Sequence, residues 1–366
     1  MRTNAPLCRT LLFGILAFGI SAGPAVSQDA SSQIRGEIAR LDRAVSSKPD
    51  SDPDWKGAKP SLAGALADAR LSLAAGRLYR SLEELERART SFRALESGRT
   101  APKNGAPGFD AAWKKTSLEL AALDGKALAK SWGATPAAIR AVAETAEGRA
   151  RVLLDASRAY AGVTSVGAGF YYIGEAKAAA ESASYCSTLH AYRQAAPLPL
   201  RPIAPELRQL QERTVAAFKP PRSIERHGDF ISLNATLKLA GELDAAKLYA
   251  GALYQYLDAV QQFKRLDFPV PDPARQSALR GNLAALHTRL ANSKQDDSIA
   301  ELFLERTEGI LAGRNGSAPS PDDWKNAAVI AEQVLPAYFA FLTPAPSQNL
   351  RASHTITVTL VRWPYT

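Results

Sequence analysis

Residues 223–263 read SIERHGDFISLNATLKLAGELDAAKLYAGALYQYLDAVQQF, and this stretch decides the fold class. It divides into two helical patterns placed back to back. In the first, Phe230, Leu233, Leu237 and Ala240 recur at steps of three and four. In the second, Tyr249, Ala252, Leu253, Tyr256, Leu257, Val260 and Phe263 continue in the same way. That spacing draws each set into one stripe along a helix. Asp229 and Asp244 stand where N-caps are expected, and Gly241 stands where the first helix is expected to stop. One hairpin cannot bury two apolar stripes by itself, so the pattern predicts helical neighbours.

The rest of the chain supplies them. Ile34, Ile38, Leu41 and Val45 predict a first amphipathic helix. After a turn holding Pro53 and Pro60, Ser61 is read as the cap of a second helix ending near Ala75, and Gly76 as its break. Leu78, Leu82, Leu85 and Ala88 stripe a third, with Glu83 and Arg87 as a helical ion pair. Residues 100–108 read as a loop, after which Asp110 is expected to cap a helix carrying Trp113, Leu120 and Leu123. Thr135-Pro136 starts a long helix through Ile139, Val142, Ala146, Ala150 and Leu153. Tyr172, Ala176, Ala179, Ala183, Cys186 and His190 stripe the next. Asp272-Pro273, a capping box of Ser298 with Glu301, and Ser320-Pro321-Asp322-Asp323 mark three later starts. Pro336 predicts a kink or break in the last helix. Trp55, Trp113 and Trp324, each followed by lysine, are read as packing residues at helix starts.

The expected fold is therefore all-α: antiparallel helix pairs stacked irregularly as a bundle or short superhelix. Only residues 355–361, Thr-Ile-Thr-Val-Thr-Leu-Val, alternate with period two and predict a short C-terminal strand, paired with an extended piece such as 197–203 or added to the sheet edge of another protein. The pattern is loosely tetratricopeptide-like. Gly76-Arg77-Leu78-Tyr79, Gly169-Phe170-Tyr171-Tyr172 and Ala246-Lys247-Leu248-Tyr249 open helices in a similar way. The regular period of about 34 residues that such an array requires is absent, and no family is assigned. Prolines at 197, 199, 202, 205, 220 and 221 divide the chain into an N-terminal helical region (28–196), a proline-rich connection (197–222), a C-terminal helical region (223–345) and a tail (346–366).

Residues 1–27 read as an export signal. Arg2 and Arg9 precede the apolar run 11–20, and Ala25-Val26-Ser27 supplies small residues for cleavage. The expected location is the bacterial periplasm or the exterior. Removing 1–27 leaves 43 basic and 36 acidic side chains, a net charge of +7. No long block of like charge stands out, so the excess fits a solvated surface, with an anionic cell-surface component as a further possible partner. Export argues against nucleic acid, and no transmembrane span is expected in the mature chain. Cys186 is then a lone thiol, so no internal disulfide can form and burial is its default.

No catalytic set assembles from the sequence. His190, His227, His287 and His354 are scattered, and no metal-ligand spacing or nucleophile elbow occurs. Glu83-Glu84 and Asp322-Asp323 are adjacent, and adjacent residues do not face one another on a helix. No metal and no cofactor is expected. The tyrosines are the strongest binding signal. Tyr171 and Tyr254 fall off the apolar stripes of their helices and are candidates for a partner surface. The leading expectation is a non-enzymatic exported scaffold that binds an envelope protein. The alternative is a small-molecule binder or enzyme using a pocket near Glu175, Cys186 and His190, the last two a helical turn apart.

Overall fold

The computed structural model describes residues 28–99, 101–123, 132–163, 165–313 and 317–343. The expected export signal and the strand read over 355–361 lie outside the described residues. Within them the fold is all-α, with antiparallel helix pairs stacked irregularly. The first elements are α1 (Gln28–Ser46), α2 (Pro53–Ala74), α3 (Leu78–Gly98), α4 (Ala101–Ala121), α5 (Ala137–Val163) and α6 (Val166–Thr188). Next come α7 (Ala204–Ala217), the single turn α8 (Arg222–Glu225), α9 (His227–Ala245) and α10 (Tyr249–Arg265). The last are α11 (Pro273–Ala291), α12 (Ser298–Leu311), α13 (Pro321–Val329), a π-helical turn (Ile330–Val334) and α14 (Leu335–Leu342).

One hydrophobic core draws residues from Ala30 to Phe341 and crosses the proline-rich connection, where Ile203, Leu207, Leu210 and Phe218 join it. A smaller cluster of Phe109, Leu120, Leu154, Phe170 and Ile173 binds α4 to the α5–α6 pair. Small residues let helices approach closely. A Cβ built on Gly174 would lie 2.3 Å from the Arg93 carbonyl oxygen, so α6 meets α3 at a distance only glycine permits. The extended piece around residue 196 pairs with the loop before α12, where Ala196 N donates to Lys294 O at 2.8 Å and Asp296 N to Ala196 O at 2.8 Å.

Local start signals hold where they are self-contained. Ser320 caps α13 in a reciprocal box with Asp323, and Asp272 caps α11. The proline at 336 is accommodated by the π-helical turn just before it. Proline lacks an N–H and crowds the carbonyl four residues back, and a widened turn relieves both. Other readings are corrected. α2 begins at Pro53 under an Asp52 cap and runs through Pro60, so Ser61 caps nothing. α4 takes in Ala101 onward, so Asp110 is interior. α9 passes Gly241 and ends at Ala245, and the reversal falls on Lys247, with φ of +62°. Asp229 pairs with Arg226 at 3.2 Å within the first turn.

Three helices have first-turn amides satisfied by a distant element, and two of them make no side-chain cap bond of their own. Arg77 and Leu248, which precede α3 and α10, make no side-chain cap bond. Instead Glu305 of α12 accepts from Arg80 N at 2.7 Å, and Glu144 of α5 accepts from Gly251 N at 2.8 Å. At the start of α5, Asp296 accepts from Ala137 N at 2.6 Å and Ser298 Oγ from Ala138 N at 2.9 Å. The first amides of a helix lack intrahelical partners, and these carboxyl groups and hydroxyl satisfy them. This consumes the expected capping box: Ser298 serves α5, and Glu301 holds the buried Arg193 in two bonds of 2.5 and 2.6 Å. Asp244 likewise accepts from Ile203 N at 2.9 Å.

The α2–α3 and α10 starts share this geometry. Gly76 and Lys247 both carry positive φ, and both are followed by a residue that donates five positions back, Arg77 N to Ser72 O and Leu248 N to Leu243 O. The capped amide is the third residue of its helix in both α3 and α10.

Candidate functional site

α3, α10 and α12 converge on Glu83. The guanidinium of Arg306 reaches it with Nε 2.9 Å from Oε2 and Nη2 2.5 Å from Oε1. Its Nη1 donates to Asp258 Oδ1 at 2.8 Å. The Tyr254 hydroxyl hydrogen-bonds both Glu83 and Arg306, and Arg80 Nη1 stands 3.5 Å from Glu83. Burial pushes the Glu83 carboxyl up, but Arg306 and Arg80 outweigh it and hold the group below its ordinary value. Burial and the charge of Glu83 push the Tyr254 phenol well up, against the pull of Arg306. A carboxylate gripped by guanidinium is a poor proton acceptor, and a phenol so raised is a poor proton donor. The cluster is thus suited to fixing geometry, not to proton transfer.

Two cavities open beside this cluster. One, of about 590 Å³, lies among α3, α5, α6, α9, α10 and α12. The other, of about 620 Å³, lies among α3, α9, α10, α12 and α13. Arg87, Asp258 and Arg306 line both, so the two adjoin across these side chains as neighbouring parts of a cleft. On the wall of the first, Thr90 and Thr145 are 9% and 6% exposed, and neither Oγ1 has a hydrogen-bond partner. A buried hydroxyl without a partner costs about 1–3 kcal/mol, which a bound group would relieve. The second cavity is lined by Arg265 and Lys325, which have no ion-pair partner among the described residues.

The structure brings two of the sequence candidates to this cleft. Glu175 lines it half-buried, its carboxyl raised by burial against the opposing pull of Arg149. Tyr254 lies at its floor and is 8% exposed, not on a free surface as expected. The off-stripe reading assumed one buried face, whereas α10 is packed on most sides, with Ala250 to Gln255 buried consecutively. Tyr171 is exposed, one helical turn before Glu175, and packs edge-on against Tyr172, which stacks on Tyr160 at 4.4 Å.

Cys186 and His190 do not share one helical face. α6 ends at Thr188 and Leu189 turns to extended backbone, so the expected shared face is lost. Cys186 is buried, while His190 lies outside against α1, its Nδ1 3.1 Å from Asp29 Oδ2 and its backbone N donating to Gln33 Oε1 at 3.0 Å. Of the three residues expected to share a pocket, Glu175 lines the cleft.

Glu83, Arg306, Thr90 and Thr145 escaped the sequence reading. The sequence pairs Glu83 with Arg87 and places it beside Glu84, whereas Arg87 bonds Glu84 at 3.1 Å. One signal was available: Arg80, Glu83, Arg87 and Thr90 follow at steps of three, four and three, a polar stripe on an otherwise buried helix.

Among the described residues no helix is long and apolar enough to cross a membrane, and no three His, Cys, Asp or Glu side chains are grouped to hold a metal. No protein-family model, no curated protein and no solved structure matches this chain.

Proposed function

We propose that the chain is an exported, non-catalytic scaffold of the bacterial envelope that receives an extended segment of a partner protein in the α3–α10–α12 cleft. The observation that carries this reading is the pair of buried hydroxyls, Thr90 and Thr145, left without partners on the wall of a cavity. An extended polypeptide offers a carbonyl and an amide at each residue, and these match unpaired hydroxyls. The free cations Arg265 and Lys325 at the far end favour a partner segment that carries acidic residues. The half-buried Glu175 allows a second occupant, a small polar ligand in the first cavity alone.

The test is site-specific photo-crosslinking in cells, from Ser91 and Thr236 in the cleft and from Val215 on an exposed helix face. A single envelope protein trapped from the two cleft positions and not from Val215 supports the scaffold. Cleft positions that trap nothing overturn it and leave the small ligand as the reading to pursue.

A further inference from the structure

A third cavity, of about 940 Å³, lies among α1, α3, α4 and α6 and shares no lining residue with the cleft. That size is within the range of small-molecule sites, roughly 300–1,000 Å³. One wall is apolar, built by Leu120 and Leu123 against Phe170 and Ile173. The opposite end is polar and centres on Tyr185 and Arg89. From Ile173 to Tyr185 the cavity follows α6 for twelve residues, roughly 18 Å at the helical rise. It is long, with the apolar side chains gathered toward one end, beside Ser97 of α3, and Arg89 and Tyr185 toward the other.

The hydrogen-bond balance at the polar end is unequal. Arg89 is 2% exposed and commits Nη1 to Ser182 at 2.8 Å and Nη2 to Glu37 at 2.7 Å, but its Nε has no partner. The Tyr185 hydroxyl, over whose ring Arg89 sits at 5.1 Å, has none either. Burial raises that phenol, so it is protonated and can donate. Lys177, midway along the cavity, has no hydrogen bond or ion pair among the described residues. The lining acceptors are largely taken. Glu37 is held by Arg40 and Arg89, Glu96 by Lys48 and Arg93, and Glu181 by Arg93. Among the described residues Glu119 is without a partner, and it is exposed at the rim. What the cavity lacks is an acceptor, preferably an anionic one.

We infer that this cavity binds an amphipathic anion, a single alkyl chain ending in a carboxylate or phosphate. The chain lies along Phe170, Ile173, Leu120 and Leu123, and the head accepts from Tyr185 Oη and Arg89 Nε, with Lys177 supplying the unpaired positive charge. Burying each methylene of such a chain is favourable, and a charged acceptor on unmet donors fixes its direction. The inference rests on residues other than those of the cleft, and either can fail without the other.

The test is displacement of a dansyl-labelled undecanoate from the full chain, with dodecanoate, dodecyl phosphate and dodecanol as competitors. The expected result is displacement by both anions at micromolar concentration and at least tenfold weaker displacement by dodecanol. Tyr185→Phe and Lys177→Gln should each weaken dodecanoate by about tenfold while leaving the melting temperature and dodecanol unchanged. Tighter binding of dodecyl phosphate assigns a phospholipid-derived source, and tighter binding of dodecanoate a free fatty acid. Equal binding of dodecanol, or no effect of both substitutions, overturns the site. So does co-sedimentation with phosphatidylglycerol vesicles without binding of any free amphiphile, which would place the contact on the surface.

Discussion

Glu144 Oε2 lies 2.8 Å from Gly251 N, so a carboxyl group within α5 caps the third residue of α10. The two helices meet so closely that a Cβ on Gly251 would stand 2.8 Å from the Glu144 Cβ and 3.0 Å from Thr145 N. Gly251→Ala should therefore destabilise the protein by about 1–3 kcal/mol through overpacking, although alanine is the better helix former. Glu144→Ala, which strands both the amide and Arg140, should cost a similar amount. Urea unfolding measures both. A stabilised Gly251→Ala would show that the helices can separate without loss.

Arg306 should be far more costly to remove alone than together with its partner. Arg306→Met leaves Glu83 charged in the floor of the cleft with Tyr254 and the weaker Arg80 contact, an expected loss of about 3–5 kcal/mol. Adding Glu83→Met removes the stranded charge and should recover a substantial part of that loss. A double-mutant cycle in urea reads the coupling, and simple additivity would count against the cluster as a unit.

Glu305 gives the opposite pH response to Glu83. Burial pushes its carboxyl well above the ordinary value, opposed by the Arg80 amide and reinforced by Glu301. The folded state therefore holds a proton that the unfolded state has released, so this group lowers stability as pH rises from about 4.5 toward its folded value. Glu305→Gln keeps an acceptor for Arg80 N and removes the titration. The wild type should be relatively more stable at the acid end of a series from pH 4.5 to 8, and the variant should flatten that slope. Glu83, held below its ordinary value, loses its contribution as pH falls through that lowered value.

Cys186 should resist thiol reagents in the native protein. It is 1% exposed and part of the main core. Labelling by an aromatic disulfide should proceed at the rate of opening and become fast in urea. Rapid native labelling would show that α6 frays near its end.

The legible part of this fold was whatever neighbouring residues settle among themselves. Ile34, Ile38, Leu41 and Val45 declare α1 because one face of that helix is buried and the rest is solvated. Ser320 and Asp323 declare α13 because the box closes within four residues. The site was not legible, since its residues answer to distant ones. Tyr254 falls off the stripe of its own helix, yet Glu83 and Arg306 await it from α3 and α12. Glu301 resembles a local capping residue but spends both oxygens on Arg193. His190 keeps step with Cys186 in sequence, but the helix ends between them.

The borrowed caps bear on the order in which this chain can be built. The Arg80 amide is 225 positions from the carboxyl group that satisfies it, and the Ala137 amide is 159 from its own. A chain that emerges from its amino end must keep α3 and α5 waiting, their first turns hydrated and unfixed, until α12 arrives. Formation of the final structure is then a late, concerted closure dominated by remote contacts, slower than in a bundle closed by adjacent hairpins. A truncation ahead of residue 296 would not leave a smaller working version, because it removes the caps of helices near the beginning.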